Sequence, residues 1–387
     1  MNIKKQLEQI KQENLYRTRK VVEGVSCVDP VVDGEKLLAF CSNDYLGLSE
    51  HPDVCEAFVA ATKEYGVGTG SAHLVLGHTA AHHMLEERLA DFCGTQRALL
   101  FSTGYMANMG VIAALTDKND LIVEDKLNHA SLIDGAQLSN AKLVRYNHLD
   151  MEHLQARVAN SSAENILIAT DGVFSMDGDV APIQPIVDVA KSINALVMVD
   201  DAHGLGVVGK SGKGVIEEQG INPADIDLLI GTLGKGFGTA GAFVAGNEDM
   251  IEYLIQRART YIYTTAMPAA VAMATLKSID LIESESWRRE HLQNLIAKFR
   301  RGAEQLGLQL VDSHTPIQPI IIGDAAAAVN LSSLLKEQGI IVTAIRPPTV
   351  PKGTSRLRVT FSASHSEENV EQLLTALEIA ITKAGVN

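Results

Sequence analysis

Asp-Leu-Leu-Ile-Gly-Thr-Leu-Gly-Lys-Gly-Phe-Gly-Thr-Ala-Gly, residues 227–241, sets one lysine, Lys235, just after a short apolar run that reads as a buried strand. Its neighbours Thr232, Gly234, Gly236 and Gly238 are small or hydroxylic. Glycine lets backbone approach a flat ligand without a Cβ in the way, and lysine condenses readily with an aldehyde. Upstream, Ala-Leu-Val-Met-Val (195–199) is a second apolar run, and it ends in Asp200-Asp201-Ala202-His203-Gly204. Outward from these two runs, residues 52–270 alternate apolar runs (97–103, 121–124, 166–170, 195–200, 227–232) with helical patterns such as 80–93, 105–115 and 182–193. That alternation predicts βαβ units and a mostly parallel sheet. Ligands of such sheets sit beyond the carboxyl ends of the strands.

An acid after one strand and a lysine after another are what pyridoxal 5'-phosphate (PLP) requires: a lysine for its aldehyde and a carboxylate for its ring nitrogen. Opposite charges ~3 Å apart at an effective dielectric of ~20 attract by about 5 kcal/mol before desolvation, enough to keep a pyridine protonated. Either Asp200 or Asp201 could instead serve as a turn or cap residue. His203 is placed to donate to the cofactor's phenolic oxygen. Gly104 and Tyr105 open a helix after a strand, an anion cradle suited to phosphate. His129 either stacks on a ring or caps a helix.

The bulk numbers frame this reading. The 387 residues exceed one hydrophobic core, so two domains are expected. The boundaries read as an N-terminal segment 1–46, a large domain 47–275 and a small C-terminal α/β domain 276–387. The net charge of −14 argues against nucleic acid as the partner. No C-x-x-C pair, signal segment or membrane-length apolar run is present, which points to a cytoplasmic protein with free thiols. Ile3, Leu7, Ile10 and Leu15 predict an amphipathic N-terminal helix packed on another element. Beyond 269 the pattern predicts helices 269–283, 286–306, 326–338 and 366–384 with strands 308–311, 317–322, 340–344 and 356–361.

Two motifs point elsewhere. Gly236-x-Gly238-x-x-Gly241 matches the dinucleotide fingerprint, but Ala242-Phe-Val-Ala-Gly continues as strand where the fingerprint needs a helix. His78, His82, His83, Glu86 and Glu87 suggest a metal cluster, yet no H-E-x-x-H is present, so the stretch reads as a polar helix face and no metal is expected. Arg356 and Arg358 alternate on one strand face, as a surface pair or a carboxylate fork.

Taken together, Ser-Asn-Asp-Tyr-Leu-Gly-Leu (42–48), Asn-His-Ala-Ser (128–131), Asp-Gly-Val-Phe-Ser-Met-Asp-Gly (171–178), Val-Asp-Asp-Ala-His-Gly (199–204), Gly-Thr-Leu-Gly-Lys-Gly-Phe-Gly (231–238) and Arg-Leu-Arg (356–358) resemble the α-oxoamine synthase family of fold-type I PLP enzymes, over nearly the whole chain. The resemblance implies a homodimer that condenses an amino acid with an acyl thioester and loses CO2. Ala-Ile-Arg-Pro-Pro-Thr-Val-Pro (344–351) and His-Leu-Val-Leu-Gly-His (73–78) resemble the branch that joins L-alanine to pimeloyl-CoA or the pimeloyl-carrier-protein thioester. Ser71-Ala72-His73 stands where Gly-Ser-Arg is frequent. The rivals are the glycine and acetyl-CoA branch, an aminotransferase and a nicotinamide-binding module. By resemblance, Lys235 holds the cofactor and moves protons, Asp200 pairs the ring nitrogen, and His129 stacks over the ring. His203 and Ser175 hold its oxygen side. Gly104, Tyr105 and Thr232 bind phosphate, with Thr264 or Thr265 from a second subunit. Asn43 and Arg358 hold the amino-acid carboxylate, and Arg17 and Thr349 meet the acyl donor.

Overall fold

A computed structural model describes residues 2–12, 16–25, 27–159 and 161–385. The chain forms two compact units, one of residues 43–294 and 312–316, the other of 1–42, 295–311 and 317–387.

The first unit is built on seven strands: β1 (Arg97–Phe101), β2 (Leu121–Asp125), β3 (Lys142–Tyr146), β4 (Ile166–Asp171), β5 (Leu196–Asp200), β6 (Leu228–Thr232) and β7 (Ala242–Gly246). Their order in the sheet is β1-β7-β6-β5-β4-β2-β3. Pairs β2–β3, β2–β4, β4–β5 and β5–β6 are parallel, and β7 runs antiparallel to both its neighbours. Nearly every residue of β2, β4, β5, β6 and β7 is buried, as expected when helices cover both faces. Leu99, Ile122, Leu167, Met198, Ile230 and Val244 form one core with Ala107, Val111 and Ile112 of the helix Gly104–Leu115. Because β7 is the strand that follows Gly241, the glycine pattern of 236–241 lies in a strand-turn-strand connection and not in a dinucleotide fold.

The lysine-bearing turn leaves no room for larger residues. Gly238 has φ +67, and a Cβ there would lie 2.5 Å from the Ser49 backbone nitrogen. The strand ends are also tied down. His148 Nδ1 lies 2.9 Å from Asp125 Oδ1 at the end of β2, and its Nε2 lies 2.7 Å from Asp179 Oδ2. Asp179 belongs to the turn after β4, where its carbonyl accepts from the Phe174 N–H at 3.0 Å. One imidazolium thus braces two strand-end loops.

The second unit has a three-stranded antiparallel sheet with β9 (Thr343–Ile345) and β8 (Ile317–Gly323) on either side of β10 (Ser355–Thr360). Helices Ala325–Lys336 and Glu367–Ala384 belong to this unit. Phe361 packs edge-on to Phe40 and against Phe299. Arg356 and Arg358 are both buried, so neither is a surface charge. Three expectations change. Residues 308–311 form no strand, only a bridge from Leu310 to Ile320. The run 340–344 divides into Ile340–Ile341, paired with Leu38–Ala39, and β9. The N-terminal helix is Ile3–Gln12 with none of its residues buried, where packing on another element was expected; Leu15 lies outside the described residues.

The brace makes a pH prediction. Burial alone would lower the pKa of His148, but Asp125 and Asp179 outweigh it and push it up to about 10. A folded-state pKa above the unfolded value of about 6.5 stabilises fully below that pH and is lost as pH rises. The unfolding free-energy difference between wild type and His148→Gln, followed by denaturant titration, should be constant below pH 6.5 and shrink between there and about pH 10.

Candidate active site

The carboxyl ends of β1, β2, β4, β5 and β6 point the same way, and the residues just past them meet in one cavity of about 220 Å³. Gly104 and Tyr105 follow β1, His129 follows β2, Ser175 follows β4, Asp200 and His203 close β5, and Thr232 and Lys235 close β6. All eight were singled out in the sequence. The parallel sheet explains their meeting: residues far apart in the chain share one strand edge.

Asp200 lies at the floor. Its Oδ2 accepts from Asn108 Nδ2 at 2.6 Å, and its Oδ1 accepts from the Ala202 N–H at 3.1 Å. Asn108 also donates to Ser131 Oγ at 2.8 Å. The paired aspartates differ in their surroundings, and Asp200 alone of the two lines the cavity. Asp201 is fully buried away from the cavity and accepts from the Val215 N–H at 2.8 Å. Gly204 and Gly214 enclose it so closely that a Cβ on either would lie about 2 Å from its oxygens.

Lys235 Nζ lies 2.8 Å from His203 Nε2, and His203 Nδ1 lies 2.7 Å from Tyr45 Oη. Tyr45 in turn donates its single proton to Asn43 Oδ1 at 3.1 Å. That proton is then committed, so Oη accepts from a proton on His203 Nδ1. By this assignment His203 Nε2 carries the lone pair and accepts from the lysine amine. The sequence placed His203 beside the cofactor's oxygen; the fold also makes it the neighbour of Lys235.

His129 caps the helix Ala130–Ser139, and its Nδ1 lies 2.7 Å from Ser131 Oγ. Both alternatives raised for this residue are therefore compatible, because its ring also lines the cavity. Burial lowers its pKa, the Lys235 charge acts in the same sense, and Asp200 opposes them. A neutral imidazole is suited to stacking on a flat ring. Asp171, register partner of Asp200, is raised well above the carboxylate range by burial and by the Asp200 charge. It accepts from the His129 N–H at 2.9 Å, fixing the turn that carries the imidazole.

Six expected residues do not line this cavity. Asn43 is connected to it through Tyr45. Thr264 and Thr265 lie in the segment that pairs with Ser71–Ala72. Arg17, Thr349 and Arg358 belong to the other unit, where Arg17 and Thr349 line a second cavity of about 250 Å³ with Arg346. Sequence reasoning missed Asn108, Tyr45 and Asp171 as site residues. A signal existed for Asn108, the one amide in the apolar helix Gly104–Leu115, since a buried polar group implies a partner.

The aminotransferase class I and II family matches residues 35–377. An 8-amino-7-oxononanoate synthase from Nitrosococcus oceani is 58% identical over 372 residues, which cover 96% of this chain and 99% of that protein. The chain belongs to the 8-amino-7-oxononanoate synthase family. A solved structure of an 8-amino-7-oxononanoate synthase from Francisella tularensis is 33% identical with a TM-score of 0.79, covering 90% of this chain and 98% of that one. The serine palmitoyltransferase of S. paucimobilis, solved with a PLP–myriocin adduct, is 32% identical with a TM-score of 0.94, covering 100% and 98%. The fold is therefore that of fold-type I PLP enzymes, and the α-oxoamine synthase resemblance holds across the chain.

The cavity suits the cofactor of that fold. It offers an amine, a hydrogen-bonded carboxylate, a flat neutral imidazole and the N-terminus of a twelve-residue helix. At Gly104 nothing lies within 4 Å of where a Cβ would stand, which leaves room for an anion beside the start of that helix.

The Asn108 clamp should be measurable. Asn108→Ala removes both of its hydrogen bonds and leaves the Asp200 carboxylate short of a donor, at a cost of about 1–3 kcal/mol. Urea unfolding of the cofactor-free protein should show this loss, and Asn108→Asp, which sets a second carboxylate against Asp200, should lose more.

Proposed function

We propose that this protein condenses L-alanine with pimeloyl-CoA, or with the pimeloyl-carrier-protein thioester, to give 8-amino-7-oxononanoate, CoA or carrier thiol, and CO2 in biotin synthesis. It is a PLP-dependent acyltransferase. The observation that carries the reading is 58% identity to an 8-amino-7-oxononanoate synthase over 96% of the chain, together with one cavity that gathers Lys235, Asp200, His129 and His203. Identity to the serine palmitoyltransferase is much lower, at 32%.

When bound, PLP supplies an aldehyde that captures the amino acid and a protonated ring that draws electrons from its α-carbon. The residues supply the rest. Lys235 Nζ, once free, takes the α-proton of alanine and later returns a proton to the product. Its neighbour His203 lies 2.8 Å away through Nε2, within hydrogen-bond reach of the amine. Tyr45 orients that imidazole through Nδ1. Asp200, clamped by Asn108, fixes a negative charge for a cationic ring nitrogen. Asn43 and Arg358 are assigned to the carboxylate of alanine, and Arg17 and Thr349 to the acyl donor. The last assignment is supported by the cavity that the two share. Thr232, Gly104 and Tyr105 are assigned to phosphate, and Ser175 with His203 to the oxygen side of the ring.

The reading includes a homodimer in which Thr264 or Thr265 reaches the phosphate of the other subunit. It is supported by their place outside their own chain's cavity. It also includes a cytoplasmic location. Among the described residues none of the four cysteines forms a disulfide, and no helix is long and apolar enough to cross a membrane.

Incubation with alanine or glycine and a panel of acyl-CoA thioesters, read by thiol release and product mass, tests the reaction. Alanine with pimeloyl-CoA should give the highest kcat/KM. Fast turnover of glycine with acetyl-CoA and none with the pimeloyl donor would contradict it. Lys235→Ala should lower turnover by at least ~10²-fold. Tyr45→Phe removes the hydroxyl's hydrogen bonds to both Asn43 and His203; the loss at His203, worth about 1 kcal/mol, should slow turnover only about fivefold.

A further inference from the structure

The histidine-rich stretch read above as a polar helix face folds into something more specific. Residues His73–Gly77 form a single wide helical turn ahead of the helix Ala80–Cys93. Gly77 permits that turn, because a Cβ there would lie 2.2 Å from the Ser71 carbonyl oxygen. The turn delivers His78 to the same side as His83 and Glu86, which lie three residues apart on one helix face. One donor atom from each of His78, His83 and Glu86 falls within 4.8 Å of the others. They border a cavity of about 260 Å³ whose wall also includes His73, Gln96 and Tyr261.

The supporting contacts orient these donors. His73 Nδ1 lies 3.2 Å from His78 Nδ1, and the His73 ring stacks on Tyr261. This leaves His78 Nε2 facing Glu86 Oε2 at 3.9 Å. Glu86 Oε1 accepts from the Leu100 N–H at 3.0 Å, which fixes the carboxylate and turns its second oxygen toward the histidines. Metal-bound histidines show this pattern, with one ring nitrogen held by a neighbour and the other left for the ion. His82 is excluded from the set, because Thr79 and the Met267 carbonyl oxygen occupy its two nitrogens. His83 is exposed and meets Glu87 at 3.4 Å, a solvent-facing pair of little strength that a metal can displace.

We propose that His78, His83 and Glu86 form a binding site for one divalent ion of the zinc class, distinct from the PLP cavity. Two imidazole nitrogens and one carboxylate oxygen are a typical donor set for Zn2+, with a fourth position open to the cavity. Tetrahedral bonds of about 2.0–2.1 Å place ligand atoms about 3.4 Å apart, so the set closes when His78 and Glu86 draw in from 3.9 Å and the exposed His83 shifts its rotamer. The ion pins the His73–Gly77 turn to the helix and stiffens a loop whose Leu74, Val75 and Leu76 stand exposed.

The test uses the PLP-loaded protein, freed of metals by chelator and titrated with Co2+ and then Zn2+. Visible d–d absorption should saturate at one Co2+ per chain, and Zn2+ should displace it. His83→Ala alters an exposed side chain and should weaken binding at least ~10-fold. Glu86→Gln, checked for folding by circular dichroism, should do the same. His314→Ala, which alters an exposed histidine–glutamate pair elsewhere, should leave binding unchanged. Absence of one-to-one binding, or wild-type affinity in His83→Ala, overturns the proposal.

Discussion

The 2.6 Å hydrogen bond from Asn108 to Asp200 is the contact on which the site's chemistry rests. A carboxylate that closes a buried parallel strand is costly unless its oxygens are satisfied and a cation eventually faces it. Asn108 and the Ala202 N–H satisfy it on the protein side. Asp171 lies beside it in the next strand, where burial and the Asp200 charge push its pKa up. The result is a hydrogen-bonded carboxylate in a cavity that Lys235 also lines. An electron-drawing cofactor needs that polarity.

The second constraint is the sheet itself. Five strand ends converge because their strands run parallel, and the two loops braced by His148 cannot drift apart without losing two charged hydrogen bonds. Glycines matter here where close approach demands them. Gly204 and Gly214 allow Asp201 to be enclosed, and Gly238 allows the lysine turn to lie against Ser49. Tyr45 then connects the Ser42–Leu48 segment to the lysine through His203, which gives that segment a chemical part as well as a packing one.

Much of this was legible in the sequence. Apolar runs of five residues followed by Gly104, Asp200 or Lys235 carry both the strand and the chemistry, so fold and site could be read from the same residues. Partners set by tertiary placement could not. Asn108 sits in an apolar helix with no local mark of its target, and the tautomer of His203 depends on a tyrosine 158 residues away. Residues 308–311 look strand-like but make only one bridge, because edge pairing is decided by neighbours and not by propensity. His78 was read on one helix face with His82, His83, Glu86 and Glu87, but it follows the wide turn His73–Gly77, which places it where spacing alone does not.

The central claim is that one amine, that of Lys235, holds the B6 aldehyde opposite the Asp200 carboxylate. Borohydride reduction of the yellow protein, followed by proteolysis and mass spectrometry, tests it most directly. The account predicts a phosphopyridoxyl group on the peptide containing Lys235 and on no other lysine peptide. A label on a different lysine, or a protein purified with no B6 compound that takes up none when it is supplied, would contradict it.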